Sequence, residues 1–317
     1  MLRLRNEDHG VGFIVDAGPA LGYGHAVRCL RLGNALEAET PVVFYPLSES
    51  CETFLRSASP KSEIRNPNFE MTSLPSLVIT DLRHAHGITA KIHKQGSRHI
   101  SIHDLGLAQC RSDVVIDGSV TRLFPYVKAG DRQLFIGPQY MITRAPVQRR
   151  EANDTVLITF GGGSTANFAQ KIADQLYRFG MKVIVTTGFA GSAPMSEQDL
   201  SNAMSSCRFA ISASGVSLYD LLASGIPTIA VAFDRLQLRT ADSFHELGAV
   251  LSAGLVEKLT TNKTFQHVME MIENRLLVRR MVQAGQMLVD GKGLSRVVEI
   301  VRRQIWLTNQ TKTYMTC

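Results

Sequence analysis

Three features are scarce in this sequence: paired cysteines, long runs of like charge and long apolar stretches. The five cysteines are irregularly spaced and never form C-x-x-C, which argues against a disulfide framework or a thiolate zinc site and fits a reducing cytoplasm. No stretch approaches the roughly 18 consecutive apolar residues of a transmembrane helix. The first residues, MLRLRNEDHG, lack the apolar core of a signal peptide. We therefore expect a cytoplasmic globular protein without an integral membrane segment.

The 317-residue chain carries a net charge of +6, which is mildly basic. This balance fits an anionic small molecule, a nucleic acid or an anionic membrane surface, and equally a solvated surface without a partner. No run of about five like charges marks a nucleic-acid tail. Histidines crowd positions 84–103, but their spacing matches no compact ligand set. We expect no nucleic-acid partner, no metal and no cofactor, and the oligomeric state is left open.

Short apolar runs alternate with amphipathic segments in two successive series. Continuous runs such as VGFIVDAG (11–18) and TVLITF (155–160) indicate strands buried on both faces, and hence parallel sheets covered by helices. A polar segment at 143–154 separates the two series. The prediction is an α/β protein of two doubly wound, Rossmann-like domains. Their predicted bounds are 1–145 and 146–306, followed by a polar tail at 307–317. The basic amphipathic helix at 291–306 is assigned to the second domain by these bounds, and the alternative is that it packs back across the join.

Open α/β sheets bind ligands beyond the carboxyl ends of their strands, and the first candidate segment there is the loop after the first strand. Gly22 and Gly24 give the backbone freedom before a helix begins near His25, and Arg28 shares the helix face of that histidine. The free N–H groups of a helix start suit a phosphate or carboxylate. A plain glycine-rich turn explains the loop equally well.

The second segment is FGGGST (160–165), in which Gly161, Gly162 and Gly163 follow an apolar strand. Consecutive backbone N–H groups favour anion binding, although a plain strand-to-helix turn with an N-cap uses the same residues. Asp104 ends another strand and is a further candidate for the lining of the site.

The third segment, 212–229, ends a strand at Ser214, turns at Gly215 and starts a helix at Val216. Ser217 and Asp220 lie three residues apart on the first turns of this helix. Asp220 is a candidate for a bidentate hydrogen bond to two ribose hydroxyls. The alternative is that its carboxylate complements the helix dipole.

Five strings occur in order across nearly the whole chain: LGYGHAVRCLRLGNAL, IHDLGLAQCRSDVVID, FIGPQYMITR, VLITFGGGSTANF and SASGVSLYDLLASGIPTI. Together they resemble the UDP-2,4-diacetamido-2,4,6-trideoxy-β-L-altropyranose hydrolase family of pseudaminic acid biosynthesis. They also resemble the glycosyltransferase-like proteins of spore-coat polysaccharide synthesis. The resemblance implies the GT-B fold, in which two Rossmann-like domains face each other across a cleft. It also implies a small-molecule nucleotide sugar as substrate.

The resemblance further implies a role for each matching residue. His25 would be the catalytic base or the group that positions water, and Gly22 and Gly24 would let the sugar donor approach. The residues implied to hold the nucleotide are Gly161, Gly162 and Gly163 near the nucleotide, Ser214, Gly215 and Val216 at the pyrophosphate, and Asp220 at the ribose.

The chain departs from the family pattern at three places. Asp220 stands where the family usually has glutamate, Arg83 replaces the tyrosine of a D-x-Y string, and Leu236-Gln237 replaces an asparagine-glutamine pair. Arg83 suits a more anionic or differently substituted sugar. The expected activity is hydrolysis of a UDP-linked amino-deoxy sugar with release of the nucleoside diphosphate. The alternatives are transfer of the sugar to a hydroxyl acceptor and a catalytically inactive sugar-nucleotide binding protein.

Overall fold

The computed structural model describes residues 10–65, 74–83, 87–103, 111–121, 130–150, 154–161, 166–186, 195, 197–258 and 261–315. The chain divides into two compact units. The first unit comprises Met1–Ile142 together with Gly293–Cys317, and the second comprises Thr143–Lys292.

The described residues form twelve strands and ten α-helices. The strands are β1 Val11–Val15, β2 Val42–Pro46, β3 Glu63–Ile64, β4 Leu77–Asp81, β5 Arg98–His103, β6 Val114–Asp117, β7 Gln133–Ile136, β8 Thr155–Thr159, β9 Lys182–Val185, β10 Phe209–Ala213, β11 Thr228–Ala232 and β12 Leu251–Leu255. The helices are α1 Gly24–Leu36, α2 Glu49–Ala58, α3 Ile88–Lys94, α4 Ala166–Arg178, α5 Glu197–Ser206, α6 Val216–Ala223, α7 Arg235–Glu246, α8 Thr261–Glu273, α9 Arg275–Leu288 and α10 Gly293–Met315. None of these helices combines the length and the apolar character needed to cross a membrane.

The first unit is built on a seven-stranded parallel sheet in the order β3-β2-β1-β4-β5-β6-β7. Every residue of β1, β2, β4 and β6 is buried, as expected of strands covered on both faces. β1 and β4 are direct neighbours, and their register places Val15 opposite Asp81. The carboxyl ends of β1 and β4 therefore lie side by side, where doubly wound sheets bind their ligands.

The second unit is built on a five-stranded parallel sheet in the order β12-β11-β10-β8-β9. β8, β10 and β11 are buried throughout, and their apolar side chains pack with those of α4, α8 and α9. Two parallel sheets flanked by helices confirm the predicted α/β class with two doubly wound units.

The C-terminal helix differs from its predicted placement. The sequence-based bounds assign residues up to 306 to the second domain and leave 307–317 as a tail, whereas α10 runs from Gly293 to Met315 and packs with the first unit. Val297 and Val301 share the buried core of that unit with Phe13, and Arg302 forms an ion pair with Glu39. The physical reason is that the apolar stripe of α10 fits the surface beside α1. The position of a helix in the chain does not determine which surface it covers.

Three described cysteines are buried thiols. Burial raises the pKa of Cys29 well above its usual range, and the nearby Asp81 carboxylate adds to this shift. Burial, followed by the charge of Asp16, raises the pKa of Cys51 to about 12. Burial also raises the pKa of Cys207, against the opposing charge of Arg149. Since the thiolate is the reactive form, all three should be inert in the folded protein.

This inertness can be measured with a thiol reagent on the Cys110→Ser/Cys317→Ser variant, which retains only these three cysteines. We expect no labelling at neutral pH in the folded state and three labelled thiols per chain after denaturation. Rapid labelling of the folded variant, at a rate near that of free cysteine, would contradict the buried placement.

Candidate functional site

The loop between β1 and α1 is a closed glycine turn. The Gly22 N–H donates to the Gly18 carbonyl at 2.7 Å, and the Gly18 N–H donates back to the Gly22 carbonyl at 3.2 Å. Gly22 has a φ of +79°, a left-handed conformation that favours glycine. α1 then begins at Gly24, with no side-chain cap and no acidic residue in its first turn. The structure thus supports the predicted turn-to-helix geometry at Gly22 and Gly24.

His25 is held by a buried carboxylate. Its Nδ1 lies 2.6 Å from Oδ1 of Asp81, the last residue of β4. Asp81 is fully buried, whereas the His25 side chain keeps 10% of its exposure. Among the described residues, the hydrogen-bond partners of His25 contact Nδ1, and none of them contacts Nε2. His25 therefore has one anchored nitrogen and one nitrogen left for a ligand.

Arg28 lies behind this pair and supports it. Its Nε donates to Oδ2 of Asp81 at 3.0 Å and its Nη2 donates to Oδ1 at 2.9 Å, a bidentate pair. Its Nη1 lies 3.9 Å from the sulfur of Met141. The side chain of Arg28 is only 1% exposed. The predicted helix face is correct, but the structure places Arg28 against Asp81 rather than at a surface that a substrate reaches, so we assign it a positioning role.

The contacts determine the tautomer of His25. Nδ1 faces Oδ1 of Asp81 at 2.6 Å and Nη2 of Arg28 at 3.1 Å, and it can carry a proton toward only one of them. A lone pair on Nδ1 would face a carboxylate oxygen at the shorter distance, which is repulsive. Nδ1 therefore donates to Asp81, and the lone pair of neutral His25 sits on Nε2.

Sequence reasoning missed Asp81 as a functional residue. It noted this aspartate only as the start of the string Asp81-Leu82-Arg83. A signal for it was present in the sequence, because Asp81 is an acidic residue at the carboxyl end of an otherwise apolar strand. A charge buried at such a position requires a partner. Arg83 follows two residues later at the same edge and is half-buried, which is compatible with its predicted contact to substrate.

The start of α6 has the predicted strand-to-helix geometry in the second unit, and its contact with a pyrophosphate stays a prediction. Ser214 ends β10, and its hydroxyl donates to the Val231 carbonyl at 3.0 Å. Gly215 is the N-cap of α6, without a side-chain capping bond. A Cβ at Gly215 would meet no described atom within 4 Å, so the position that a side chain would take at this helix start is open. The backbone of Val216 and Ser217 then forms the first turn.

Asp220 has protein partners inside the second unit. Its Oδ1 accepts the backbone N–H of Arg144 at 2.9 Å, and its Oδ2 lies 3.8 Å from Nε of Arg144. Asp220 is 7% exposed. The carboxylate thus holds the segment that opens the second unit, a role that the sequence did not suggest, and its predicted contact with ribose stays a prediction.

The remaining predicted positions are only partly described. Gly161 follows β8 with a φ of +73°, and the space where a Cβ would project is open. Gly162, Gly163 and Asp104 lie outside the described residues. In the part of the chain that is described, no three His, Cys, Asp or Glu side chains come together as metal ligands would.

Comparison with known proteins identifies relatives over most of the chain. No protein-family model matches. The spore coat polysaccharide biosynthesis protein SpsG of Bacillus subtilis is 28% identical over 335 residues, covering 92% of this chain and 97% of SpsG. The predicted resemblance to spore-coat polysaccharide proteins is thereby confirmed.

Solved structures share the fold at low sequence identity. MurG of Acinetobacter baumannii matches with a TM-score of 0.65 and 13% identity, covering 93% of this chain and 99% of that protein. Phytolacca americana UGT2, complexed with UDP-2-fluoro-glucose and pterostilbene, matches with a TM-score of 0.66 and 10% identity, covering 93% and 99%. S. aureus MnaA, solved with UDP, matches with a TM-score of 0.64 and 13% identity, covering 94% and 97%. The chain therefore has the GT-B-like fold expected from the sequence.

Proposed function

We propose that this chain is a nucleotide-sugar hydrolase of polysaccharide or nonulosonic acid biosynthesis, which releases a nucleoside diphosphate from a UDP-linked amino-deoxy sugar. The observation that carries the proposal is the His25–Asp81 pair at the carboxyl ends of β1 and β4. The similarity to SpsG points to polysaccharide biosynthesis, and two of the matching structures hold UDP or a UDP-sugar.

The first unit activates water in this proposal. Nε2 of His25 takes a proton from a water molecule, whose oxygen attacks the anomeric carbon. Asp81 accepts the Nδ1–H bond, which keeps the ring oriented and stabilises the imidazolium that forms. Arg28 fixes both carboxylate oxygens of Asp81, so the geometry needs no reorganisation as the charge develops. An oxygen–carbon bond forms between water and the sugar.

The second unit receives the leaving group in this proposal. The bond between the anomeric carbon and the phosphate oxygen breaks, and its electron pair leaves with the nucleoside diphosphate. Such a group is a stable anion and requires no strong acid, only stabilisation of its growing charge. The open helix start at Gly215 and Val216 supplies N–H groups and a positive dipole end, and Gly161 begins the second loop of this kind. Asp220 and Arg83 are the proposed contacts to ribose and sugar.

Glycosyl transfer is the second candidate, because the same imidazole would equally deprotonate a hydroxyl acceptor. The similarity to glycosyltransferase structures favours it. The two reactions share donor, base and leaving group, and they differ only in which oxygen attacks the anomeric carbon.

Product analysis distinguishes the two reactions. The protein is incubated with candidate UDP- and CMP-sugars, with and without hydroxyl acceptors, and the products are separated by chromatography and mass spectrometry. We expect free sugar and nucleoside diphosphate from a UDP-sugar in the absence of an acceptor. A sugar conjugate that forms only in the presence of an acceptor would show that the reaction is transfer rather than hydrolysis. Unchanged substrate in every mixture would contradict both and favour an inactive binding protein.

A further inference from the structure

One face of α9 is unusually exposed. Leu276 and Met287 are 58% and 86% exposed, and Met287 is the most exposed of the large apolar side chains described. With 100° between successive helix residues, these side chains and their exposed neighbours fall within an arc of about 140°. The α9 face, as we define it, comprises Arg275, Leu276, Arg279, Arg280, Gln283, Gln286 and Met287.

The α9 face carries positive charge that the described protein does not neutralise. α9 contains three arginines and no acidic residue. None of the three forms an ion pair or hydrogen bond with any residue that the structure describes. The nearest acidic residue along the chain is Glu273, at the end of α8. A complementary partner of this face must therefore be anionic.

The arrangement of the face suits a lipid surface. Leu276, Gln283 and Met287 form its middle line, whereas Arg275 and Arg279 flank this line on one side and Arg280 on the other. Arginine stems can lie along an apolar boundary while their guanidinium groups reach phosphates beside it. The α9 face thus presents two exposed apolar side chains, Leu276 and Met287, beside three arginines, and helices that bind at a membrane interface also combine apolar side chains with basic ones.

We propose that the α9 face binds the surface of a bilayer that contains anionic phospholipids. The arginines contact headgroup phosphates, and Leu276 and Met287 enter the acyl boundary between them. The phosphates of a nucleic acid could also pair with the three arginines, but a nucleic acid offers no apolar layer for the exposed side chains of Leu276 and Met287. The proposal goes beyond the proposed catalytic function and does not depend on it.

Vesicle co-sedimentation of the full chain tests this surface. We expect binding to phosphatidylcholine vesicles that contain about 30% phosphatidylglycerol, weaker binding at high salt, and none to phosphatidylcholine alone. The Arg275→Gln/Arg279→Gln/Arg280→Gln variant should lower the partition coefficient by about 10²-fold. The Leu276→Ser/Met287→Ser variant should lower it by about tenfold at unchanged charge. Nucleotide-sugar turnover in solution should stay the same in both variants.

A matched control removes the same charge elsewhere. Lys61, Lys91 and Lys94 are exposed residues of the first unit, and their replacement by glutamine should change vesicle binding by less than about threefold. Wild-type binding by the arginine variant, or equal loss in the lysine control, would refute the α9 face as the binding surface. So would an unchanged partition coefficient for Leu276→Ser/Met287→Ser. Binding to duplex DNA with no binding to vesicles would assign the face to nucleic acid instead.

Discussion

Replacing His25 with alanine is expected to lower kcat for nucleotide-sugar turnover by about 10²–10⁴-fold, with little change in KM. In the proposed mechanism the substrate still binds, because its proposed nucleotide contacts belong to the second unit, but no group remains to take the proton from the attacking water. The measurement is the initial rate of nucleoside diphosphate release at saturating substrate, together with circular dichroism to verify folding.

His93→Ala is the matched control for this prediction. His93 is a partly exposed histidine of α3 whose Nε2 lies 3.6 Å from Asp113, and its removal should leave kcat unchanged. Asp81→Asn provides a second test, since an amide cannot hold His25 in the same tautomer and should also lower kcat strongly. Turnover by His25→Ala at the wild-type rate would remove His25 from the mechanism.

Replacing Arg28 with alanine is expected to lower the free energy of unfolding of the first unit by about 3–5 kcal/mol. Arg28 and Asp81 are both 1% exposed, so the substitution leaves a buried carboxylate without its main counter-charge. Urea unfolding is followed by tryptophan fluorescence and circular dichroism. The single tryptophan, Trp306, lies on α10 and therefore reports on the first unit.

The control for Arg28 is another arginine–carboxylate pair of the same unit at its surface. Arg56 donates to Glu52 one helical turn earlier, and its side chain is 57% exposed. Arg56→Ala should cost less than about 1 kcal/mol, because water and salt screen an exposed pair. If Arg28→Ala and Arg56→Ala lowered the free energy of unfolding by similar amounts, the prediction would be wrong, because burial would then not increase the contribution of the Arg28–Asp81 pair.

The β1–α1 loop illustrates what sequence reasoning can predict. Glycines and a histidine at a strand-to-helix junction are local features, so the turn at Gly22, the start of α1 at Gly24 and the position of His25 all follow from neighbouring residues. The same holds for the open helix start at Gly215. Hydrophobic periodicity likewise predicts the buried parallel strands, because burial on both faces leaves a continuous apolar run.

The partners of these residues could not be predicted in the same way. Asp81 is 56 residues from His25 along the chain and 53 from Arg28, and the three meet only because β4 is inserted beside β1. Asp220 meets the backbone of Arg144 across 76 residues. The sequence does not show which partner a charged residue has, because an aspartate is the same letter whether its carboxylate faces solvent, substrate or a buried arginine.

Local sequence is sufficient to predict the local elements: two series of buried strands, the glycine turns that end them, and the helices that begin at Gly24 and Val216. Those elements depend on side-chain period and backbone freedom within a few residues. Three outcomes depend on the folded chain: α10 joins the first unit, Asp81 rather than solvent meets Nδ1 of His25, and Arg28 lies behind them. These outcomes depend on which apolar faces fit together and on the need of each buried charge for a partner, and both are properties of the folded chain.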